Sequence, residues 1–106
     1  MTDKIIVFVT CESMQQAETI AQTVVSEKLA ACVNIVQGIR SCYTWESQVT
    51  WSGEVLALMK TTRGRFDSLR DRVKSLHSYS VPEIVSVNID DGFDKYIAWI
   101  KDCVGE

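Results

Sequence analysis

Histidine and proline each occur once in the 106 residues, as His77 and Pro82. A single imidazole leaves no identifiable Ser-His-Asp set, and neither G-x-x-x-x-G-K-S/T nor G-x-G-x-x-G is present. The backbone cradles that hold phosphates and dinucleotides are therefore missing. The four cysteines, Cys11, Cys32, Cys42 and Cys103, include no C-x-x-C pair. That excludes the usual zinc-ribbon and ferredoxin cluster spacings. Long apolar runs are also lacking. The run after Lys4 ends at Val9, too short for a signal-peptide core or a membrane span. Bases are outnumbered by acids, 11 to 14, for a net charge of −3. A chain that holds nucleic acid through phosphate contacts needs clustered Lys and Arg. Neither nucleic acid nor a membrane is an expected partner, and the expected compartment is the cytoplasm, where thiols stay reduced.

What is present is ordinary globular material. Hydrophobic residues make up 46% and charged residues 24%, which excludes intrinsic disorder and fits a single domain over residues 1–106. Ile5 to Val9 reads as a strand covered on both faces. Ser13 with Gln16 resembles a capping box, and Ala17, Ile20, Ala21, Val24 and Val25 then form one helical stripe. That helix should end near Lys28, whose charge suits the negative end of the dipole. Ala30 to Val36 is a second strand. Gln37-Gly38 reads as a kink or bulge, and extended chain resumes through Glu46. Ser47-Gln48 is the expected hairpin turn. Val49 to Trp51 returns, and Glu54 to Thr61 continues as a nearly all-apolar strand.

A second helix starts at Thr62 or Gly64, with Phe66, Leu69, Val73 and Leu76 on one face. Pro82 ends the linker that follows it. Ile84 to Ile89 is the last strand, with Val85, Val87 and Ile89 alternating with Ser86 and Asn88. A third helix carries Phe93, Tyr96, Ile97, Ile100 and Val104. The order predicts an α+β, ferredoxin-like βαββαβ antiparallel sheet with a long middle hairpin and an extra C-terminal helix. The surplus of hairpin carries Tyr43, Trp45, Val49 and Trp51. Clustered aromatics on an open arm mark a partner surface, so copies of the chain are expected to pack together through it. Acyl-phosphate hydrolases share this fold, but their Arg-bearing loop has no counterpart in Thr10-Cys11-Glu12-Ser13. Fold alone carries no reaction, and none is expected.

Several separate blocks resemble the CutA family of divalent-cation tolerance proteins. They are Leu29-Ala30-Ala31-Cys32-Val33-Asn34-Ile35, Tyr43-x-Trp45-Glu46, Lys60-Thr61, His77-x-Tyr79, Val81-Pro82-Glu83-Ile84 and Tyr96-x-x-Trp99-Ile100. The resemblance implies a ferredoxin-like subunit in a tight homotrimer, built like the nitrogen-regulatory PII proteins. It also implies a role in tolerance of copper or another divalent cation, with no organic cofactor and no turnover. The alternatives are a PII-like sensor of a small molecule in clefts between subunits, or a purely structural assembly. Two positions depart from the family pattern: Ser47 stands where Gly is common, and Ser78 where Pro is common. Positions associated with copper binding fall on Val9, Leu76 and His77, of which only His77 can coordinate.

The metal-ligand candidates are His77, Cys11 and Cys32. Imidazole and thiolate both suit copper. His77 at a helix end also suits the dipole, and Cys32 within an apolar run also suits core packing. Cys11 follows Val9 by two residues and so projects to the same side. Placed before a capped helix, its thiol is expected to be reachable and its pKa lowered. Lys60, Tyr79, Glu83, Trp45 and Glu54 are the ligand-cleft candidates, polar or aromatic residues at element ends that could hold a small anion or metabolite.

Overall fold

A computed structural model describes residues 2–105. The chain runs β1 (Lys4–Cys11), α1 (Met14–Ser26), β2 (Cys32–Trp45), β3 (Gln48–Thr62), a 3-10 turn (Arg63–Arg65), α2 (Phe66–Leu76), β4 (Ile84–Asn88) and α3 (Asp94–Val104). The strands form one antiparallel sheet in the order β2-β3-β1-β4. This is the α+β, ferredoxin-like arrangement that the pattern of elements predicts.

The register sorts side chains onto two unequal faces. Ile5, Val7, Val9 and Cys11 of β1 lie opposite Thr61, Met59, Ala57 and Val55 of β3, and all are buried. Ala17, Ile20 and Val24 of α1, with Leu69 and Val73 of α2, cover this face and complete the core. The intervening residues point the other way. One row across the sheet is Val85, Phe8, Leu58, Asn34, and the next is Val87, Ile6, Lys60, Cys32. Neither α1 nor α2 reaches them, and Val85 and Val87 are exposed. The alternation in β4 therefore turns its valines away from the helices, the reverse of a strand that serves its own core. The third helix is anchored at the Cys32 end, where Ile100 and Val104 pack on Ala31 and Ile89. Of its expected stripe, only Ile100 and Val104 are buried, whereas Phe93 and Tyr96 are exposed.

Local signals explain most boundaries. The Ser13 side chain accepts from the Gln16 backbone N–H at 3.2 Å, capping α1 as expected. The other end differs. Lys28 N–H donates to the Val25 carbonyl and Leu29 N–H to that of Val24, with Lys28 at φ 59°. Lys28 thus holds the left-handed position of a Schellman motif, a place that favours glycine. At Gln37-Gly38 two residues of β2 face one of β3, since Val36 pairs with Leu56 and Ile39 with Glu54. Gly38, at φ 78°, takes the left-handed region as the second residue of this bulge. The hairpin turn lies one residue earlier than expected. Glu46 and Ser47, at φ 50° and 64°, form it, and Gln48 already begins β3.

Beyond the bulge β2 and β3 project as a two-stranded arm. The chain extends 44 Å along its long axis, and its radius of gyration is 14.2 Å. A compact chain of this length has about 13 Å. The arm carries Tyr43, Trp45, Val49 and Trp51 into solvent, with Trp51 60% exposed.

Candidate functional site

Where the arm leaves the body, a groove of ≈ 850 Å³ opens. Its floor and sides come from four places. The end of β1 contributes Thr10 and the following Glu12, β2 contributes Tyr43 and Trp45, and β3 contributes Glu54. The loop between α2 and β4 contributes Tyr79 and Glu83.

A short chain of hydrogen bonds ties these together. The Tyr79 hydroxyl donates to Glu54 Oε2 at 2.7 Å. The Tyr79 backbone N–H donates to His77 Nδ1 at 3.1 Å. With Nδ1 an acceptor, the ring proton sits on Nε2, which donates to the Thr10 carbonyl at 2.7 Å. The two rings pack with centroids 4.7 Å apart. Burial, and then the bond to Glu54, push the Tyr79 phenol well above its ordinary range, so it stays a donor.

Of the ligand-cleft candidates, Tyr79, Glu83, Trp45 and Glu54 converge on this groove and Lys60 does not. Lys60 pairs with Cys32 and Ile6, and its ammonium bonds to Asn34 Oδ1. It lies six positions along β3 from Glu54, about 20 Å at the strand rise. Glu12 and Tyr43 also line the groove. In the sequence Tyr43 stands out as an arm aromatic and in the Tyr43-x-Trp45-Glu46 block, not as a cleft residue, and Glu12, in a short loop, gives no signal.

The three metal-ligand candidates are not brought together. Cys11 and His77 share one corner, and Cys32 lies at the opposite end of the sheet. Cys11 does project to the side of Val9, but that side is the core, and it is 0% exposed. Its thiol is pushed up from 9.0 to about 11, first by burial and then by Glu54 and Glu12. This corrects the expectation of a reachable thiol with a lowered pKa: the side chain lies in the apolar core under the helices, where burial favours the neutral thiol. Both nitrogens of His77 are engaged, and it is buried. Cys32 is partly exposed, its thiol beside the Tyr96 hydroxyl. The described residues contain no group of three or more His, Cys, Asp or Glu side chains that could hold a metal ion. A resident copper centre within one chain does not fit this donor set. No helix among the described residues is long and apolar enough to cross a membrane.

The family described as CutA1 divalent ion tolerance protein matches residues 5–103. The divalent-cation tolerance protein CutA of Thermus thermophilus is 46% identical over 100 residues, which are 94% of this chain and 97% of that protein. Its solved structure superposes with a TM-score of 0.94 at 45% identity, covering 96% of this chain and 99% of that one. Rice protein CutA 1, chloroplastic, is 42% identical over 96% of this chain, which spans 58% of the rice protein. The structure of the periplasmic divalent cation tolerance protein CutA from Archaeoglobus fulgidus gives a TM-score of 0.93 at 36% identity. It covers 95% of this chain and 98% of that one.

Proposed function

The chain belongs to the CutA1 divalent ion tolerance family, and from that premise we propose that it acts as a self-assembled trimer that binds copper or another divalent ion without turnover. The observation that carries this reading is the uncovered face of the sheet. Ile6, Phe8, Leu56, Leu58, Val85 and Val87 form an apolar surface that α1 and α2 leave open, continuous with an arm of exposed aromatics. A face of this kind on a small domain is buried against a partner, and copies of the same chain are the partner always at hand.

The divalent ion is cargo or effector in this reading, held at sites that assembly completes. Cys32 is the one sequence candidate whose thiol reaches solvent, and thiolate suits cuprous ion. Four free cysteines suit the reducing cytoplasm, although the rice relative is named chloroplastic and the Archaeoglobus relative periplasmic. Sedimentation at micromolar concentration should give about three times the 11.9 kDa chain mass. Calorimetric titration with cuprous and cupric ions should show a defined stoichiometry per assembly, reduced by Cys32→Ser. A single-chain mass, or heats that never saturate, overturns the reading.

A second reading, a PII-like small-molecule sensor, is favoured by the arm-root groove. Its ≈ 850 Å³ lies in the range of small-molecule sites. A thermal-shift screen of metabolites should then raise the unfolding temperature with the logarithm of ligand concentration.

A further inference from the structure

His77 is the only imidazole of the chain, and its two nitrogens tie different parts of the fold together. Nε2–H donates to the Thr10 carbonyl at 2.7 Å and so anchors the ring to the end of β1. Nδ1 accepts from the Tyr79 backbone N–H at 3.1 Å and so holds the loop after α2. The two bonds respond differently to a proton. Imidazolium donates from both nitrogens, so the bond to Thr10 survives, whereas Nδ1–H then faces another N–H donor. The ring stays on the body, and the loop loses its acceptor.

Little else keeps that loop in place. Residues 78–83 form neither helix nor strand, and Val81 is 80% exposed. Ser78 Oγ donates to Gln16 Oε1 at 3.3 Å on the surface, and the Tyr79 hydroxyl donates to Glu54 at the root of the arm. The ionisable groups on the elements around the ring are Cys11 and Glu12 at the end of β1, Glu54 on β3, Tyr79 and Glu83 on the loop, and Lys74 in the last turn of α2. From α1 the loop meets the neutral Gln16. Cys11 and Tyr79 are both raised above their ordinary values and stay neutral where imidazole titrates.

We propose that His77 is a proton-operated latch on one wall of the arm-root groove. With the ring neutral, Tyr79 is held between Nδ1 and Glu54, and the groove keeps the shape described above. With the ring protonated, the Tyr79 N–H moves off Nδ1 and draws the phenol from Glu54. The wall formed by Tyr79 and Glu83 then opens while the sheet stays intact. The latch needs neither a metal ion nor a particular groove ligand, so it stands apart from both readings of function.

The test follows the His77 ring C–H and the Tyr79 amide by NMR in the native assembly, from about pH 8 to about pH 5. The Tyr79 amide should shift with the same midpoint as the ring. Its protection against hydrogen exchange, corrected for the intrinsic rate, should fall about ten-fold or more across that midpoint, while amides of β1 and β3 keep theirs. His77→Asn keeps an oxygen that accepts from the N–H two residues on and takes up no proton, so in it Tyr79 should stay protected throughout. Tyr79→Phe removes the bond to Glu54 and leaves both ring bonds, so the amide at position 79 should still follow the ring. An amide that ignores the titration of the ring overturns the latch, in the parent or in Tyr79→Phe. So does a ring that takes up no proton in this range, a loss of protection throughout the sheet at the same midpoint, or a pH response retained in His77→Asn. Thermal unfolding confirms that each variant folds, and if His77→Asn does not, the parent and Tyr79→Phe decide.

Discussion

The Tyr79 hydroxyl and Glu54 Oε2 meet at 2.7 Å, joining the loop after α2 to the root of the arm. Among the described residues it is the one hydrogen bond to a carboxylate that is nine-tenths buried. Tyr79→Phe removes the donor and leaves the acceptor in place. Destabilisation of about 1–3 kcal/mol is expected, since a buried charged acceptor loses its partner. Thermal unfolding at fixed chain concentration checks it. Glu54→Gln, which keeps an acceptor for the phenol, should cost less than Tyr79→Phe.

Alkali should unfold the protein in two stages. Cys11 is raised from 9.0 to about 11, so its folded state favours the neutral thiol. Its contribution is complete below pH 9 and is lost as pH rises through 11, of order 2 kcal/mol in all. Tyr79, raised from 10.0, begins to contribute loss only above pH 10. Denaturant titrations between pH 8 and 11 should show stability falling from about pH 9. In Cys11→Ala the fall should begin near pH 10 instead. A pH profile unchanged by that substitution would sink the assignment. A thiol reagent at pH 8 should label exposed Cys42 at once and Cys11 only on unfolding.

Lys28 and Ser47 hold left-handed backbone, at φ 59° and 64°. Lys28→Gly and Ser47→Gly should each stabilise by about 0.5–1 kcal/mol, because glycine adopts that region without the Cβ penalty. One site closes α1 and the other turns the arm tip, so the gains should add. A double variant no more stable than either single one would show that the backbone relaxes.

Leu58 lies beside Phe8 in the open face of the sheet, outside both cores. Leu58→Lys should leave the subunit folded and reduce the sedimenting mass to that of one chain. Circular dichroism separates this outcome from unfolding. A variant that keeps the parent mass places the interface elsewhere.

Much of the architecture is legible in residues alone. The run Ile5 to Val9, the Ser13 cap, the Gln37-Gly38 bulge and the α2 stripe each carry a local signal that the structure repeats. The misses share a cause. Lys28 carries a charge that suits a helix end, but the chain reversal there needs positive φ, which side-chain charge does not reveal. Trp45-Glu46-Ser47-Gln48 offers two adjacent turn frames, and the β2–β3 register selects the earlier one. The site is legible only in part because membership depends on position along β3. Glu54 and Lys60 look alike as polar residues bounding an apolar run, yet they lie at opposite ends of the sheet. Cys11 sits beside a helix N-terminus in sequence, while strand parity sends it inward.

The extra residue at Gly38 determines what Glu54 has for company. With it, Ile39 is opposite Glu54, and Tyr43 and Trp45 follow on that side of the arm. Had the pairing run on unbroken from Val36 and Leu56, the alternation would flip. Arg40 would then stand on the carboxylate's side, supplying an internal counterion, and both rings would face away. One inserted glycine thus keeps a guanidinium busy over Trp51, 5.4 Å from its ring centre, instead of neutralising the groove.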